Sequence, residues 1–390
     1  MLYLDNAATT PLSKSVVEKI KNSMGLFGNP STKSLLGASA RAAIEDARVA
    51  CAESINAAPD EIIFTSGGTE ADNWAVNSYA GLSRTDKDEI GLITSEIEHK
   101  AILERAKYME GLGVRVEYLP VSRNGIIDYA RLESMLESNK VRLVSVMLVN
   151  NELGTIQPIK QIAEICRKHS VLCHTDAVQA YGKICIDVKN LDVDLLSVSG
   201  HKVHAPKGVG FLYKRRGVEI QPLLFGGGQE SGLRSGTENT LGIVGLGEAA
   251  KSICLNTGHE GVQRDKICKE AVNELKKLCP DFGLNASGTD DFRAGIINFN
   301  AGQIDGSGLV SLLETEGVVI SNGSACDTKS IRPSHVLKAI GLPDSRAASS
   351  FRVSFSGSET SEEIKHFANK FADCFNRLKK IEVLTNGKGV

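Results

Sequence analysis

Apolar and polar residues alternate in blocks between residues 62 and 213. Short apolar runs of the kind that form buried strands are separated by longer stretches whose apolar residues recur at helical spacing. The predicted strands cover residues 62–65, 92–94, 114–118, 143–149, 171–173 and 193–198, and the predicted helices include 70–79, 100–110 and 159–168. This alternation predicts a mainly parallel sheet with helices on both faces and ligands at the carboxyl ends of its strands.

The remainder of the chain predicts a second, smaller unit. A predicted helix over 241–252 ends the large unit, and the polar stretch 256–259 indicates a boundary after it. The smaller unit has predicted strands over 296–299 and 318–320 and a last amphipathic helix that starts at a capping box formed by Thr360 and Glu363. We therefore expect an α/β protein with a large domain over 16–256 and a small α+β domain formed by 1–15 and 257–390.

The composition is that of an ordinary globular protein. The 390 residues carry a net charge of −2, with 42% hydrophobic and 24% charged residues. Nothing in this balance predicts a nucleic-acid or membrane partner, and no apolar run approaches the roughly 18 residues that span a bilayer. The chain starts without a signal-peptide pattern, so we expect a cytoplasmic protein. The nine cysteines form no Cys-x-x-Cys pair, and we predict no metal site.

A lysine and an aspartate stand at the ends of two predicted strands. The run that ends in Ser199-Gly200-His201-Lys202 places an amine where an unpaired ammonium is costly to bury. That cost falls if the amine forms a Schiff base with an aldehyde cofactor. The alternative is a surface lysine in a loop. Asp176 also needs a partner for its charge, or else caps a helix.

Three further motifs carry chemistry. The glycine turn 67–68 precedes a helix start, where an anion such as phosphate binds well, although it could be a plain turn. Cys326 lies in a loop of small polar residues and is a candidate nucleophile or a thiol without function; the nearby Asp327 disfavours its thiolate, and Lys329 and Arg332 could offset this. Arg352, within an apolar strand, requires a carboxylate partner, from a substrate or from the protein itself.

Together these motifs resemble those of the cysteine desulfurases, the NifS/IscS-like group in the class V branch of the pyridoxal phosphate (PLP) dependent aminotransferases. The similarity runs in order from Asp5-Asn6-Ala7-Ala8-Thr9 through Gly323-Ser324-Ala325-Cys326 to Arg352. It departs from many relatives at Ser34, where they carry histidine. The resemblance implies a fold-type I PLP-dependent transferase: a large domain with a mainly parallel seven-stranded sheet flanked by helices, plus a smaller α+β domain, in a homodimer.

The resemblance also implies the site. It gives catalytic roles to Lys202, Cys326 and His99. The cofactor residues it implies are Lys202 as the Schiff base, Gly68, Thr69, Ser199 and His201 around the phosphate, His99 stacked on the ring, Asn151 near a cofactor oxygen, Asp176 at the ring nitrogen, Gln179 at the ring hydroxyl, and Thr237 reaching the phosphate of the neighbouring subunit. Arg352 and Asn151 would bind the substrate.

The implied reaction converts L-cysteine into L-alanine through a persulfide on Cys326. The sulfur would pass to an acceptor protein, such as an iron–sulfur scaffold, for cluster assembly or for thiolation of transfer RNA. Two alternatives stay open. A selenocysteine lyase would use the same framework, and a persulfide-carrying assembly partner would have only weak turnover of its own.

Overall fold

The structure, a computed structural model, describes residues 1–80, 89–286, 291–322 and 333–386. The strands are β1 (Leu2–Tyr3), β2 (Ile62–Thr65), β3 (Glu89–Ser95), β4 (Val116–Leu119), β5 (Lys140–Ser145), β6 (Leu172–Asp176), β7 (Leu195–Ser199), β8 (Gly210–Lys214), β9 (Gly283–Leu284), β10 (Ile296–Asn300), β11 (Val318–Val319), β12 (Ser321–Asn322) and β13 (Ser350–Ser354). The helices are α1 (Lys14–Ser23), α2 (Leu35–Glu53), α3 (Gly68–Ala80), α4 (Lys100–Gly111), α5 (Tyr129–Ser138), α6 (Ile159–Lys168), α7 (Val188–Leu191), α8 (Thr240–Leu278), α9 (Gly306–Thr315), α10 (His335–Ala339), α11 (Asp344–Ala348) and α12 (Ser361–Asn386).

The predicted fold class is confirmed. A seven-stranded sheet has the order β2-β8-β7-β6-β5-β3-β4, in which β8 is antiparallel to both its neighbours and the remaining pairs are parallel. Every residue of β7 is buried, as expected for a strand covered on both faces. The parallel strands bring the carboxyl ends of β6 and β7 to the same edge of the sheet.

One predicted strand is shorter than its apolar run. The run 143–149 predicts a strand of seven residues, but β5 ends at Ser145. The chain then stays beside β6, because the amides of Val146 and Leu148 donate to the carbonyls of His174 and Asp176 at 3.1 and 2.9 Å. The apolar residues 146–149 are therefore buried beside β6 although they lie outside strand β5.

A second, four-stranded antiparallel sheet has the order β12-β13-β10-β9. It packs on α9, α12 and the end of α8 around a cluster of phenylalanines, in which Phe351 lies 5.8 Å from Phe299 and 5.3 Å from Phe371 between ring centres. The N-terminal β1 joins this part of the molecule by pairing with β11. The predicted capping box of α12 is confirmed, since the Thr360 amide donates to Glu363 and the Glu363 amide donates to the Thr360 hydroxyl.

Helix α8 runs through the predicted domain boundary. It is 39 residues long, and its middle contains the polar stretch 256–259 that indicated a break. Ile243 and Leu246 belong to the core of the large sheet, whereas Ile267 and Leu275 belong to the core of the small one. The domain division stays a prediction. No helix within the described residues is long and apolar enough to cross a membrane.

Candidate active site

A cavity of about 690 Å³ opens at the carboxyl edge of the large sheet. The predicted site residues that line it are Gly68, Thr69, His99, Asn151, Asp176, Gln179, Ser199, His201, Lys202 and Arg352. Thr237 is exposed and is not among the residues that line this cavity. Cys326 and its neighbours Asp327, Lys329 and Arg332 lie outside the described residues. Most of the site predicted from the sequence therefore converges on one space.

Lys202 reaches the cavity from a single turn of 3₁₀ helix, Gly200–Lys202, directly after β7. It is half-buried, and its Nζ donates to the carbonyl oxygens of Ala7 and Ala8 at 2.7 and 2.6 Å. The N-terminal segment is fixed against this turn, since the Thr10 amide donates to the His201 carbonyl. The amine is thus held by neutral acceptors at the cavity wall.

Asp176 faces the same cavity from the end of β6. It is 4% exposed and accepts a hydrogen bond from the Val178 amide at 2.8 Å. Burial raises the pKa of its carboxyl to about 6, while that hydrogen bond and the Lys202 charge act in the opposite direction. A cation placed beside Asp176 inside the cavity would restore its ordinary acidity.

Two more buried carboxyls surround Asp176. Asp72, on α3, lines the cavity, and its Oδ1 has no hydrogen-bond partner among the described residues. Its pKa is raised, first by burial and then by the charge of Asp176. Burial also raises the pKa of Glu98 to about 8. Asp72 is absent from the predicted site; the only signal was an acid beside buried helix positions, which does not distinguish a site from a core contact.

His174, a residue of β6, lies beside these acids. Its ring nitrogens contact the hydroxyls of Ser145 and Ser197 at 2.8 and 2.9 Å, and Nε2 lies 3.8 Å from Asp72 Oδ1. Burial lowers the pKa of this imidazole to about 3. A neutral ring held by two serines is structural.

The first turn of α3 forms an anion cradle. Gly67 has φ +148°, and a Cβ on Gly68 would lie 2.6 Å from Val178 Cγ2, so the chain passes too closely here for a side chain. The first amides of a helix lack intrahelical partners and favour negative charge. Ser199 and His201 line the cavity with this turn. The start of α3 and the turn after β7 therefore line the same part of the cavity with groups that can bind an anion.

His99 is the N-cap of α4 and lines the cavity. Its Nδ1 accepts from the Ala101 amide at 3.1 Å, so the neutral ring carries its proton on Nε2. Loss of hydration, together with the charges of Lys202, His335 and Lys100, lowers the pKa of His99 to about 4. The ring is consequently neutral near pH 7, as a ring that stacks or donates from Nε2 must be.

Of the two carboxylate partners that the sequence left open for Arg352, the structure contains the internal one, and the guanidinium keeps a donor for a substrate carboxylate. Its Nη2 forms a salt bridge of 2.7 Å with Asp5, and its Nη1 donates to the Asn151 carbonyl at 3.1 Å. The side chain is buried, yet its Nε has no hydrogen-bond partner among the described residues. The guanidinium is therefore anchored internally on one side and retains a donor for a further acceptor.

Salt bridges and a hydrogen bond hold the loop that carries Thr237 against α2, α3 and β2. Arg234 pairs with Glu70 through two hydrogen bonds of 2.8 and 3.1 Å. Glu230 pairs with Arg48 in the same bidentate way and also accepts from the Phe64 amide. These contacts present Thr237 on the surface in a defined backbone conformation.

Comparison with known proteins places the chain in a family. The aminotransferase class-V family matches residues 2–367. The chain is 42% identical over 385 residues to cysteine desulfurase IscS of Methanosarcina thermophila, covering 98% of this chain and 94% of that one. The match therefore covers nearly the whole length of both chains.

Solved structures agree. A NifS-like protein superimposes with a TM-score of 0.89 at 35% identity, covering 97% of this chain and all of that one. SspA in complex with cysteine superimposes with a TM-score of 0.79 at 36% identity, covering 92% of this chain and all of the other. These similarities establish that the chain belongs to the class-V aminotransferase family, within its cysteine desulfurases.

Proposed function

We propose that the chain is a cysteine desulfurase in which Lys202, Asp176 and Arg352 act on L-cysteine and Cys326 receives its sulfur. The observation that carries the proposal is the convergence of Lys202 and Asp176, from the adjacent strand ends of β7 and β6, on one cavity that Arg352 also lines. An amine, a buried carboxylate and a guanidinium around one space suit an amino-acid substrate and an aldehyde cofactor.

The cofactor of this family is PLP, and the residues present fit it. Its phosphate would lie at the first turn of α3 with Ser199 and His201, and Asp176 would face the protonated ring nitrogen. The raised pKa of Asp176 is itself support, because a carboxylate destabilised by burial gains most from a cation. Gln179 would hold the ring hydroxyl, and His99 would stack on the ring. When bound, PLP withdraws electrons from the α-carbon of the substrate.

The chain's own residues would do the rest. Arg352 binds the substrate carboxylate, and the Lys202 amine removes the proton from the α-carbon. The Cys326 thiolate then attacks the substrate sulfur. The new S–S bond forms as the Cβ–S bond breaks, and the electron pair of that bond stays with Cβ. Protonation at Cβ and return of a proton to the α-carbon then give alanine. The persulfide left on Cys326 carries the sulfur away.

Product analysis tests the proposal directly. Purified PLP-loaded protein incubated with L-cysteine and a thiol reductant is expected to yield alanine and sulfide in equal amounts. Sulfide without alanine would contradict the reaction. A parallel assay with L-selenocysteine separates a desulfurase from a selenocysteine lyase, and turnover that rises only on adding a sulfur acceptor would favour the carrier alternative.

Arg352 yields a prediction about substrate binding. Replacing it with lysine keeps a cation for Asp5 but removes the planar donor set, so the KM for L-cysteine is expected to rise roughly 10- to 100-fold, with a smaller change in kcat. Steady-state kinetics measure the split, and the PLP absorbance serves as the control for an intact site. A KM equal to that of the wild type would show that Arg352 does not bind the substrate carboxylate and serves only its internal salt bridge with Asp5.

The chain is further proposed to act as a homodimer with sites shared between subunits. Support comes from the exposed Thr237 on its pinned loop and from large apolar side chains in full contact with solvent, of which Leu35, Phe27 and Phe225 are 89%, 78% and 85% exposed. Such exposure of large apolar side chains is typical of an interface. The acceptor protein and the cytoplasmic location stay predictions from the sequence.

A further inference from the structure

Lys183 is a buried lysine that the proposed reaction does not use. It is 6% exposed, and its Nζ donates to the Oε1 atom of Gln179 at 2.6 Å, four residues earlier in the chain. Gln179 lines the large cavity, whereas Lys183 and Lys202 line a neighbouring cavity of about 320 Å³. The Lys183–Gln179 pair therefore stands between the two spaces. Burying an amine is costly, so a lysine here calls for a function.

The contacts of Gln179 determine which way its amide points. Burial, and then the charges of Lys202, Arg264 and Arg352, lower the pKa of Lys183, but the amine keeps N–H donors in either protonation state. A backbone carbonyl can only accept a hydrogen bond. Lys183 binds the amide oxygen, and the amide nitrogen donates to the Ala7 carbonyl at 2.8 Å. The NH₂ group keeps a second hydrogen for a group in the cavity. Without a donor at position 183, only the Ala7 carbonyl would oppose the reversed amide, which would present an acceptor to the cavity instead.

We propose that Lys183 is a positioning residue, which fixes the amide of Gln179 so that its NH₂ group donates to the ring oxygen of the bound cofactor. This inference rests on the proposed function, since it takes Gln179 as the partner of that oxygen. Lys183 acts only through Gln179 and does not touch the reacting atoms.

The backbone around Lys183 is held firmly enough for this role. The Arg264 guanidinium donates from Nη2 to the carbonyls of Gly182 and Lys183 at 3.3 and 2.6 Å. Gly182 has φ +73°, and a Cβ there would lie 2.7 Å from Val203 Cγ1. The turn thus accepts neither a side chain at 182 nor much displacement, and the Lys183 side chain leaves it in a fixed direction.

The Ala7 carbonyl extends the pair to the reactive lysine. It accepts from both Gln179 Nε2 and Lys202 Nζ, at 2.8 and 2.7 Å. A rotated Gln179 amide would therefore remove one of the donors on this carbonyl and change the surroundings of Lys202 as well. The charged and titratable groups that face Lys183 are Lys202, His204, Glu260 and Arg264 across the smaller cavity and Arg352 from β13.

The test measures the bound cofactor and not only turnover. A donor to the anionic ring oxygen competes with the proton that this oxygen shares with the Lys202 nitrogen. Losing the donor raises the affinity of the ring oxygen and the Lys202 nitrogen for that proton. The pH midpoint of the cofactor absorbance is therefore expected to rise by about one unit. Lys183→Met and Gln179→Leu should both produce this rise and weaken PLP binding to the apoprotein roughly 3- to 10-fold.

The double variant distinguishes positioning from independent effects. If Lys183 acts through Gln179, Lys183→Met adds nothing to the midpoint of Gln179→Leu. A wild-type midpoint in Lys183→Met, beside a raised one in Gln179→Leu, would overturn the inference and leave the proposed function standing. A wild-type midpoint in both would remove Gln179 from the cofactor site and the inference with it, while alanine production would still test the reaction.

A second pair of variants keeps the test valid if Lys183→Met does not fold. Glutamine at 183 can still donate to Gln179 and is expected to retain the wild-type midpoint. Glutamate at 183 can only accept when ionised, so it is expected to reverse the amide and raise the midpoint. Equal midpoints for Lys183→Gln and Lys183→Glu would contradict the inference.

Discussion

Replacing Lys202 with alanine is expected to lower alanine production roughly 10⁴-fold or more, the largest loss expected from any change within the described residues. The variant loses both the amine that holds the cofactor and the base that moves the substrate's α-proton. Lys202 is the only amine within the described ranges that is shown to donate to the Ala7 and Ala8 carbonyls. Borohydride reduction followed by peptide mass analysis should find the cofactor on Lys202 in the wild type and on no peptide of the variant.

The exposed lysine Lys189 supplies a matched control. Its alanine variant removes the same functional group from helix α7 and is expected to keep the reducible bond and the activity. A Lys202→Ala protein that still carried PLP through a reducible bond would assign the Schiff base to another lysine and refute the central element of the proposed function.

Replacing Cys326 with serine is expected to reduce sulfide release at least roughly 100-fold while leaving PLP absorbance and affinity unchanged. The cavity residues proposed to hold the cofactor lie outside this segment, so cofactor binding should be preserved. After incubation with L-cysteine, mass spectrometry should detect one added sulfur on Cys326 of the wild type and none at position 326 of the variant.

The other cysteines provide the comparison. Cys185 and Cys254 are exposed and free, and their serine variants are expected to keep full activity. Cys51, Cys173 and Cys268 are buried. Burial raises the pKa of the Cys51 and Cys268 thiols, and a hydrogen bond with Cys166, together with burial, raises the pKa of the Cys173 thiol, which makes all three poor nucleophiles. Retained sulfide release in Cys326→Ser would remove Cys326 from the mechanism, and the Cys185 and Cys254 variants would then show whether an exposed thiol takes its place.

Residue pattern alone predicted much of the fold, because strands buried on both faces leave a clear apolar signature. It did not predict the strand order or the reversed direction of β8, which depend on how distant segments pair. The length of α8 was also missed. A helix that serves two cores in turn needs no apolar face where it passes between them, so its polar middle at 256–259 looked like a break.

The site divides in the same way. Lys202 and Asp176 could be predicted because each is a charged residue at, or within three residues of, the end of an apolar strand. The salt bridge of Arg352 joins residues 347 positions apart, and no local pattern selects Asp5 as its partner. Asp72 and Lys183 were not selected, because their importance comes from groups that only the folded chain brings near them.

The shared helix α8 has a consequence for how the enzyme can vary. Each sheet relies on one half of the same rod, so neither can be cut out and expressed alone without losing part of its packing. Mutations that bend the rod would shift the strand of Arg352 relative to that of Lys202, although they touch neither residue. Evolutionary changes in the amino-acid substrate that the enzyme prefers can therefore come from residues far from the cavity.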